Sequence, residues 1–234
     1  MSLSLQPVLK GLLQIFYPHN CLGCGTDILD SHQLLCLRCT AALPYTRFQH
    51  FRNNPVEKIF WGRVPVEAAC SILYFTKESL LQGLLHQLKY KDCPEIGTLL
   101  GRKMGESILQ TQRFLHADAL VPLPLFPRKE KQRGYNQATL LCKGMEEVLQ
   151  LPVFEKAVER TMATETQTRK SRSERWSNME GRFACSRPEQ LRNKNIVLVD
   201  DVVTTGATLE ACGQVILDAG AASLSIITLA YTAH

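Results

Sequence analysis

Two adjacent carboxylates and a short polar loop follow an apolar run in the last quarter of the 234-residue sequence. Asp200 and Asp201 come directly after the four apolar residues 196–199, which read as a strand with both faces covered. In open α/β sheets, ligands bind beyond the carboxyl ends of the strands. The pattern therefore predicts a ligand site where this strand passes to the next helix.

The loop after the two acids has the composition of a phosphate-binding turn. Threonine supplies hydroxyl groups, glycine supplies accessible backbone N–H groups, and the start of a predicted helix adds positive potential. Gly206 would also let the chain approach a phosphate closely. The predicted phosphate-binding residues are Thr204, Thr205, Gly206, Ala207 and Thr208.

An anion-binding loop beside two carboxylates predicts a ligand that carries both a phosphate and hydroxyl groups. Ribose 5-phosphate has this shape, and Asp200 and Asp201 could accept hydrogen bonds from its 2′- and 3′-hydroxyls, directly or through Mg2+. A carboxylate near C1 would also stabilise positive charge that develops there in a transition state. The alternative is an acidic N-cap and turn without a ligand, although capping needs only one such residue.

Paired cysteines predict a metal site in the N-terminal part of the chain. The segments CLGC at 21–24 and CLRC at 36–39 give the pattern C-x2-C-x11-C-x2-C, which suits a tetrahedral, structural Zn2+ site. A redox pair or chance spacing is the alternative, and His19 or His32 could replace a cysteine. The predicted ligands are Cys21, Cys24, Cys36 and Cys39, and the other five of the nine cysteines have no pairing pattern.

Composition limits the class of protein. The chain is 45% apolar and 21% charged with a net charge of +5, as expected for a soluble globular protein and compatible with an anionic ligand. It has no apolar run long enough to span a membrane and no clear export signal, so we expect a reducing, cytoplasmic location. Apolar residues near the N-terminus predict a short amphipathic helix that packs on the domain: Leu5, Leu9, Leu12 and Phe16.

From about residue 55, strands alternate with helices, which predicts a parallel, doubly wound α/β domain. The predicted organisation is a zinc-binding segment at 1–54, including the N-terminal helix, and the α/β domain at 55–234. The polar stretch 155–187 fits neither period, and a loop of this length is usually functional or disordered. The predicted strands are 67–75, 117–122, 196–199 and 224–230, and the predicted helical stripes are 80–88, 96–108, 138–149 and 209–219.

The segment LVDDVVTTGATL resembles the signature with which type I phosphoribosyltransferases bind 5-phosphoribosyl 1-diphosphate (PRPP). The whole chain resembles the ComF family, which joins an N-terminal zinc-binding segment to such a domain. The resemblance covers nearly the entire sequence and is specific because several segments occur in order. These segments are YPHNCLGCG, LKYKD at 88–92, VPLPLFPRKEKQRGYNQ at 121–137, then Gln167, Arg175, Asn178 and Phe183, and finally IVLVDDVVTTGATL.

The resemblance implies the type I phosphoribosyltransferase fold and a role for each segment. Asp200 and Asp201 would hold the ribose, residues 204–208 the 5-phosphate, and the segment after Val121 the diphosphate, with Leu123–Pro124 a candidate cis bond. Solvation is the alternative role for the basic residues of that segment. The candidates to face diphosphate are Arg128, Lys129 and Arg133.

The stretch 155–187 would then be a flexible hood that closes over the substrate and excludes water. Its candidate ligand contacts are Arg172, Arg175 and Asn178, and Trp176 or Phe183 would either stack on a base or anchor the hood to the core. Lys89 and Lys91 end a helix, where the helix dipole is a sufficient explanation of their charge. Asn136 would cap a helix and Gln137 would face solvent.

Two hypotheses of function follow from the resemblance. In the first, the chain transfers phosphoribosyl from PRPP to an unknown nitrogen acceptor with Mg2+, and Asp200 and Asp201 are the catalytic residues. In the second, it is a non-catalytic single-stranded DNA uptake or processing factor in natural transformation that keeps a PRPP-type ligand site, and the zinc segment docks onto a partner. Residues 1–50 carry a net charge of only +1, which argues against DNA binding by that part alone.

Overall fold

The computed structural model describes residues 20–27, 29–30, 33–90, 93–161 and 183–232. The predicted N-terminal helix lies outside these ranges, as do His19, His32, Lys91 and residues 162–182 of the predicted hood. No helix within the described ranges is long and apolar enough to cross a membrane. The helices are α1 (Leu37–Ala41), α2 (Pro55–Phe60), α3 (Leu80–Tyr90), α4 (Glu95–Leu109), α5 (Pro127–Arg133), α6 (Gln137–Leu149), α7 (Pro188–Leu191) and α8 (Ala207–Asp218). The strands are β1 (Ala68–Phe75), β2 (Ala119–Pro122), β3 (Val158–Arg160), β4 (Phe183–Cys185), β5 (Asn195–Val203) and β6 (Ser223–Thr232).

A four-stranded parallel sheet forms the centre of the α/β domain, in the order β1-β6-β5-β2. Its inner strands β5 and β6 consist mainly of buried aliphatic residues, as expected when helices cover a parallel sheet. Helix α6 packs against β2 and β5, and α8 packs against β5 and β6. The predicted parallel α/β architecture is confirmed, with each predicted strand and helical stripe at its expected place.

Helices α4 and α6 approach each other at backbone distance. A Cβ atom on Gly101 would lie 2.2 Å from the carbonyl oxygen of Leu141, and one on Gly144 would lie 2.1 Å from that of Thr98. Only glycine fits at both places, because no real Cβ atom tolerates such contacts. This packing fixes α6, whose first residues lie beside the carboxyl ends of β2 and β5.

Three local features differ from the sequence prediction. Strand β5 does not end at residue 199 but continues through both aspartates to Val203, since β6 still pairs with it there. The segment after β2 contains helix α5, which Pro127 starts and Gly134 ends with a positive φ of 79°. The two ends of the stretch 155–187 pair as the antiparallel strands β3 and β4. No described peptide bond is cis, so the bond between Leu123 and Pro124 is trans.

The cysteine-containing segment packs directly on the α/β domain. Tyr45 bridges to Leu73 of β1 in antiparallel fashion, and the backbone N–H of Thr46 donates to the carbonyl of Ile72 at 2.9 Å. Helix α3 also contacts the first cysteine turn, because the side chain of Gln87 donates to the carbonyl of Leu22 at 3.0 Å. The core of the segment is therefore continuous with that of the α/β domain. The division at residues 54 and 55 stays a prediction.

Candidate functional site

Asp200 and Asp201, called the acid pair below, lie where β5 extends beyond the end of its neighbour β2. The last residue of β2, Pro122, pairs with Val199, so Asp200 and Asp201 are the first residues of β5 beyond that edge. On the other side, β6 continues to pair with β5. Successive side chains of a strand point to opposite faces. The two carboxylates are therefore held on a rigid strand at the carboxyl end of the sheet, and they leave it in different directions.

The environment of Asp200 favours its neutral form. Burial raises the pKa of Asp200 well above its usual value, and the neighbouring carboxylate of Asp201 raises it further. The backbone N–H of Asp201, which donates to Asp200 Oδ1 at 2.8 Å, and the charge of Lys89 act in the opposite direction. Among the described residues Asp200 has no ion pair. A ligand hydroxyl or a cation would supply the compensation that this carboxylate lacks.

Lys89 approaches the acid pair from the end of α3. Its ammonium group forms an ion pair with Asp201 Oδ2, and the two side chains are 25% and 17% exposed. The backbone N–H of Val202 donates to the other oxygen, Asp201 Oδ1, at 2.7 Å. Compensation of the helix dipole, which sequence reasoning treated as sufficient, is thus an incomplete account of Lys89. Its charge faces the predicted ribose site.

The predicted phosphate loop leads into helix α8 without a capping side chain. Gly206 occupies the N-cap position of α8 with a φ of +72°, and no side chain caps this helix. The first amide groups of α8 are therefore not bonded to a capping side chain. Thr204, Thr205, Ala207 and Thr208 lie around Gly206, just beyond β5. The acidic-cap alternative is not what the structure shows, because neither aspartate caps α8.

Helix α2 packs against the phosphate loop. A Cβ atom on Gly206 would lie 2.5 Å from Ile59 Cγ2 and 3.0 Å from Phe60 Cε1. Arg63 donates to the carbonyl of Thr205 at 2.7 Å and forms an ion pair with Glu210 of α8. Sequence reasoning missed these supporting residues. The spacing of 142 residues between Arg63 and Thr205 leaves no local signal for their contact.

The predicted diphosphate segment is anchored to the sheet next to the acids. The backbone N–H of Leu123 donates to Val199 at 2.8 Å, and the side chain of Asn136 donates to the carbonyl of Leu123 at 2.9 Å. Asn136 also accepts a bond from Ala138 at 3.0 Å, so its predicted capping role is confirmed. The prediction that Gln137 faces solvent is wrong. This side chain is buried at the start of α6, where it accepts a hydrogen bond from Arg133.

The basic candidates for diphosphate binding have different environments. Arg133 donates to Gln137 Oε1 at 2.8 Å and lies 5.7 Å from the ring centroid of Tyr90, the last residue of α3. It is therefore held near the carboxyl end of α3, the helix that also carries Lys89. Arg128 and Lys129 are exposed on α5, and neither forms an ion pair with another described residue. The remaining candidates, Arg172, Arg175 and Asn178, lie outside the described residues.

The base of the predicted hood is fixed by an aromatic contact. The guanidinium group of Arg160, in β3, lies 3.7 Å from the ring centroid of Phe126 and 5.3 Å from that of Phe183. Phe183 is buried in β4. This arrangement matches the anchoring alternative for Phe183 rather than stacking on a base. Trp176, the other aromatic candidate, lies outside the described residues.

The four predicted zinc ligands lie together. The Sγ atoms of Cys21, Cys24, Cys36 and Cys39 are all within 4.8 Å of one another, and those of Cys24 and Cys36 are 3.7 Å apart. Tetrahedral metal–sulfur bonds of about 2.3 Å place sulfur atoms about 3.8 Å apart. The cluster therefore fits a metal such as Zn2+ with four protein ligands. None of the nine cysteines forms a disulfide.

The backbone around the cluster stabilises thiolates. Burial raises the pKa of Cys21, but backbone N–H groups of Cys36, Cys24 and Gly23 outweigh it and lower the pKa to about 6. The Cys36 N–H lies 3.2 Å from Cys21 Sγ. Burial and the neighbouring thiols raise the pKa of Cys39 to about 12. The backbone donors thus favour a thiolate at Cys21, whereas burial and the neighbouring thiols disfavour a second thiolate at Cys39. A bound cation would stabilise both thiolates.

Comparisons with known proteins show similarity to phosphoribosyl transferase domains, to DNA utilization proteins and to competence proteins. The model of the phosphoribosyl transferase domain family matches residues 132–234. DNA utilization protein YhgH of Escherichia coli O157:H7 is 35% identical over 215 residues, which cover 91% of this chain and 84% of the relative. Competence protein F of Haemophilus influenzae is 26% identical over 225 residues, with 94% of each chain covered. Competence protein ComFC of Bacillus subtilis is 28% identical over 156 residues, 66% of this chain and 61% of the relative.

Proposed function

The chain belongs to the ComF family and contains a type I phosphoribosyltransferase domain, and on this premise we propose that it binds PRPP at the carboxyl end of β5. The observation that carries the proposal is the succession, within nine residues, of two carboxylates on a strand and a helix start whose first amides no side chain caps. Carboxylates suit the ribose hydroxyls, and free amides suit the 5-phosphate.

The diphosphate of PRPP would lie between Lys89 and the segment after β2. Lys89 already faces the acids, and Arg133 is held nearby by Gln137 and Tyr90. Both residues would add positive charge where the leaving group carries negative charge. Arg128 and Arg175 are further candidates from the same family pattern, on α5 and in the hood respectively.

The acid pair is also suited to Mg2+, which would supply positive charge to the diphosphate. Carboxylate oxygens are ligands that Mg2+ prefers, and one of the two carboxylates has no cation among the described residues. Asp200 and Asp201 would hold the ion either directly or through water. The cysteine cluster would hold Zn2+ in a structural role, since four protein ligands leave no open position for catalysis.

In the proposed reaction, a nitrogen atom of the acceptor attacks C1 of the ribose. The bond from C1 to the diphosphate oxygen breaks, and its electron pair leaves with diphosphate. Asp200 and Asp201 stabilise the positive charge that develops at the sugar ring, and Lys89 and Arg133 stabilise the leaving group. The protein contributes electrostatics and position rather than a nucleophile of its own.

Isothermal titration with PRPP and Mg2+ tests the ligand site. We expect wild-type protein to bind and both Asp201→Asn and Asp200→Asn to bind at least tenfold more weakly, or about 1.4 kcal/mol. Asp218→Asn, at the exposed far end of α8, is the matched control. Unchanged binding by the site variants would contradict the proposal. A screen for diphosphate release with candidate bases then separates a transferase from a binding protein.

A second candidate function is supported by the names of the relatives. These are DNA utilization proteins and competence proteins, which is consistent with a role in the uptake or processing of single-stranded DNA. In that case the PRPP-type ligand would regulate the protein, and the cysteine segment would dock onto DNA-uptake machinery. The free cysteines fit a reducing, cytoplasmic location in either case. Binding to single strands that weakens steeply with salt would favour this candidate.

A further inference from the structure

Two large aromatic side chains are exposed between the cysteine segment and the first strand of the sheet. Phe51 is 59% exposed and Trp61 is 58% exposed. Two exposed cations, Arg52 and Lys58, accompany them, and neither forms an ion pair among the described residues. The ammonium group of Lys58 lies 6.0 Å from the ring centroid of Trp61. We call these four residues the aromatic–basic surface.

The surface is held rigidly by a buried residue beneath it. Asn54 caps α2 by accepting bonds from Val56 at 3.0 Å and Glu57 at 3.2 Å. Its side-chain amide donates to the carbonyl of Phe51 at 3.0 Å and to that of Ala69, in β1, at 2.8 Å. The backbone that carries the exposed aromatics is thus tied to the sheet. Pre-organised aromatics bind at a lower entropic cost than aromatics on a loose loop.

A groove lies beside Arg52 and Trp61, two of the four residues of the aromatic–basic surface. The groove has a volume of about 360 Å3, and Arg52, Trp61 and Arg113 all line it. Arg113 neutralises Glu57 and donates to the carbonyl of Phe51 at 2.6 Å. Among the described residues, neither Glu67 nor Arg52 of this groove forms an ion pair, and Lys58, which lies outside the groove, is also unpaired. The aromatic–basic surface itself therefore carries two unpaired positive charges and no acid, which suits an anionic ligand.

We propose that the aromatic–basic surface binds single-stranded nucleic acid. Phe51 and Trp61 offer ring faces on which bases stack, and Arg52 and Lys58 offer charges for phosphates, which is the combination that binds single strands without sequence preference. Phe51 precedes the N-cap of α2, and Trp61 directly follows the last residue of this helix. A duplex has no free base faces to offer such rings.

This inference deepens the second candidate function by locating a nucleic-acid site, and it does not depend on the PRPP site. The test is fluorescence anisotropy with a labelled oligo-dT of about 15 nucleotides, using the full metal-loaded chain. We expect Trp61→Ala and Phe51→Ala each to weaken binding about tenfold. Arg52→Gln and Lys58→Gln should each reduce the slope of log affinity against log salt by about 0.7.

Matched controls separate this surface from general loss of charge or apolar area. Leu109→Ala removes an equally exposed apolar side chain, and Lys143→Gln removes an exposed cation, both at other places on the chain. We expect both controls to bind like wild type. The chain has two tryptophans, so in Trp176→Phe the quenching of Trp61 fluorescence on addition of the oligonucleotide reports stacking directly.

The possible outcomes are distinguishable. Wild-type binding that Trp61→Ala and Phe51→Ala leave unchanged overturns this surface while the DNA-related role stands. Equal affinity for duplex of the same length overturns the stacking argument. Absence of any binding to single strands overturns both the surface and direct DNA binding. Titration with PRPP is a separate measurement and decides the ligand site independently.

Discussion

The ammonium group of Lys89, near the end of α3, forms an ion pair with the carboxylate of Asp201 in β5. The other end of the same helix lies against the cysteine cluster, where a Cβ atom on Gly23 would lie 2.6 Å from Leu80 and 2.8 Å from the Sγ of Cys39. One helix therefore contacts the proposed metal site at its start and the acid pair at its end. We expect the position of Lys89 to depend on both contacts.

We expect Lys89→Met to lower the free energy of unfolding by about 1–2 kcal/mol, between the values for exposed and for buried ion pairs. The reason is that Asp201 would then lie beside Asp200 without its cation. Thermal unfolding should show a fall of about 2–8 °C. Lys103→Met is the control, because its pair with Glu106 is on the surface of α4 and should contribute less than about 1 kcal/mol. Equal losses in the two variants would contradict the assigned environment of Lys89.

Asp200→Asn should make the protein more stable while it weakens ligand binding. Burial and the charge of Asp201 raise the pKa of Asp200, so the folded state holds this proton more tightly than the unfolded chain. Such a group stabilises the fold at low pH, and this contribution is lost as pH rises through the folded pKa. The variant has no such loss. Near pH 8 it should unfold about 2–4 °C higher than wild type, or about 1 kcal/mol, and the difference should shrink toward about pH 4. A variant less stable than wild type at both pH values would refute this account.

Gly206→Ala should destabilise the phosphate loop by more than its backbone conformation alone requires. The left-handed conformation costs a side chain about 1–2 kcal/mol, and a Cβ atom here would also lie 2.5 Å from Ile59. Gly134→Ala is the matched control, with a φ of 79° and no atom within 4 Å of the added Cβ. Urea unfolding should show the larger loss for Gly206→Ala. Adding Ile59→Ala should recover part of that excess, and strictly additive effects would show that the contact is not made.

Arg63→Met should weaken phosphate binding although Arg63 is a positioning residue. Its guanidinium group holds the carbonyl of Thr205 at 2.7 Å, and loss of one such bond is about 1 kcal/mol, or about fivefold in affinity. Glu210→Gln removes the charge that Arg63 pairs with but keeps the bond to Thr205, so its effect should be smaller. Titration with ribose 5-phosphate and with ribose distinguishes a role of Arg63 in phosphate binding from a general role in holding the fold. Only the affinity for the phosphorylated sugar should change, and parallel losses for both sugars would indicate a merely structural role.

The local signals in the sequence were sufficient for the sheet and for the succession of acids and loop. The apolar run of β5 and the apolar stripe of α8 each indicate their own element. Gly206 marks the turn between them, and its positive φ favours glycine. The cysteine spacing likewise predicts the cluster because each pair forms within one turn. Each of these features depends on residues that are close together in the chain, so it can be predicted from a single sequence.

Long-range contacts had no such signal. Arg63 reads as an exposed cation until α2 is seen to pack on the phosphate loop, and Lys89 reads as a dipole-compensating residue until α3 is placed beside β5. Gln137 precedes the apolar stripe of α6, and this position predicts an exposed side chain. In the fold the side chain is buried and accepts a hydrogen bond from Arg133. The partners in each case come from elements whose relative position only the folded structure supplies.

The cysteine cluster should hold one metal ion. Protein purified without chelator should contain about one zinc ion per chain, because four Sγ atoms within 4.8 Å of one another form a closed ligand set. Cys39→Ser should lose the ion, since Cys39 is buried within the cluster. Cys93→Ser is the control, as Cys93 lies outside the cluster and is half-buried.

Loss of the ion should also make α3 open more often. Leu22, inside the first cysteine turn, accepts a bond from Gln87 at 3.0 Å, two residues before Lys89. Hydrogen exchange in chelated protein and in Cys39→Ser should therefore become faster in residues 20–27 and in α3, while β5 and β6 stay protected by the sheet. Zinc that remains bound to Cys39→Ser, or full protection of α3 in zinc-free protein, would show that the cysteine cluster does not hold this helix in place.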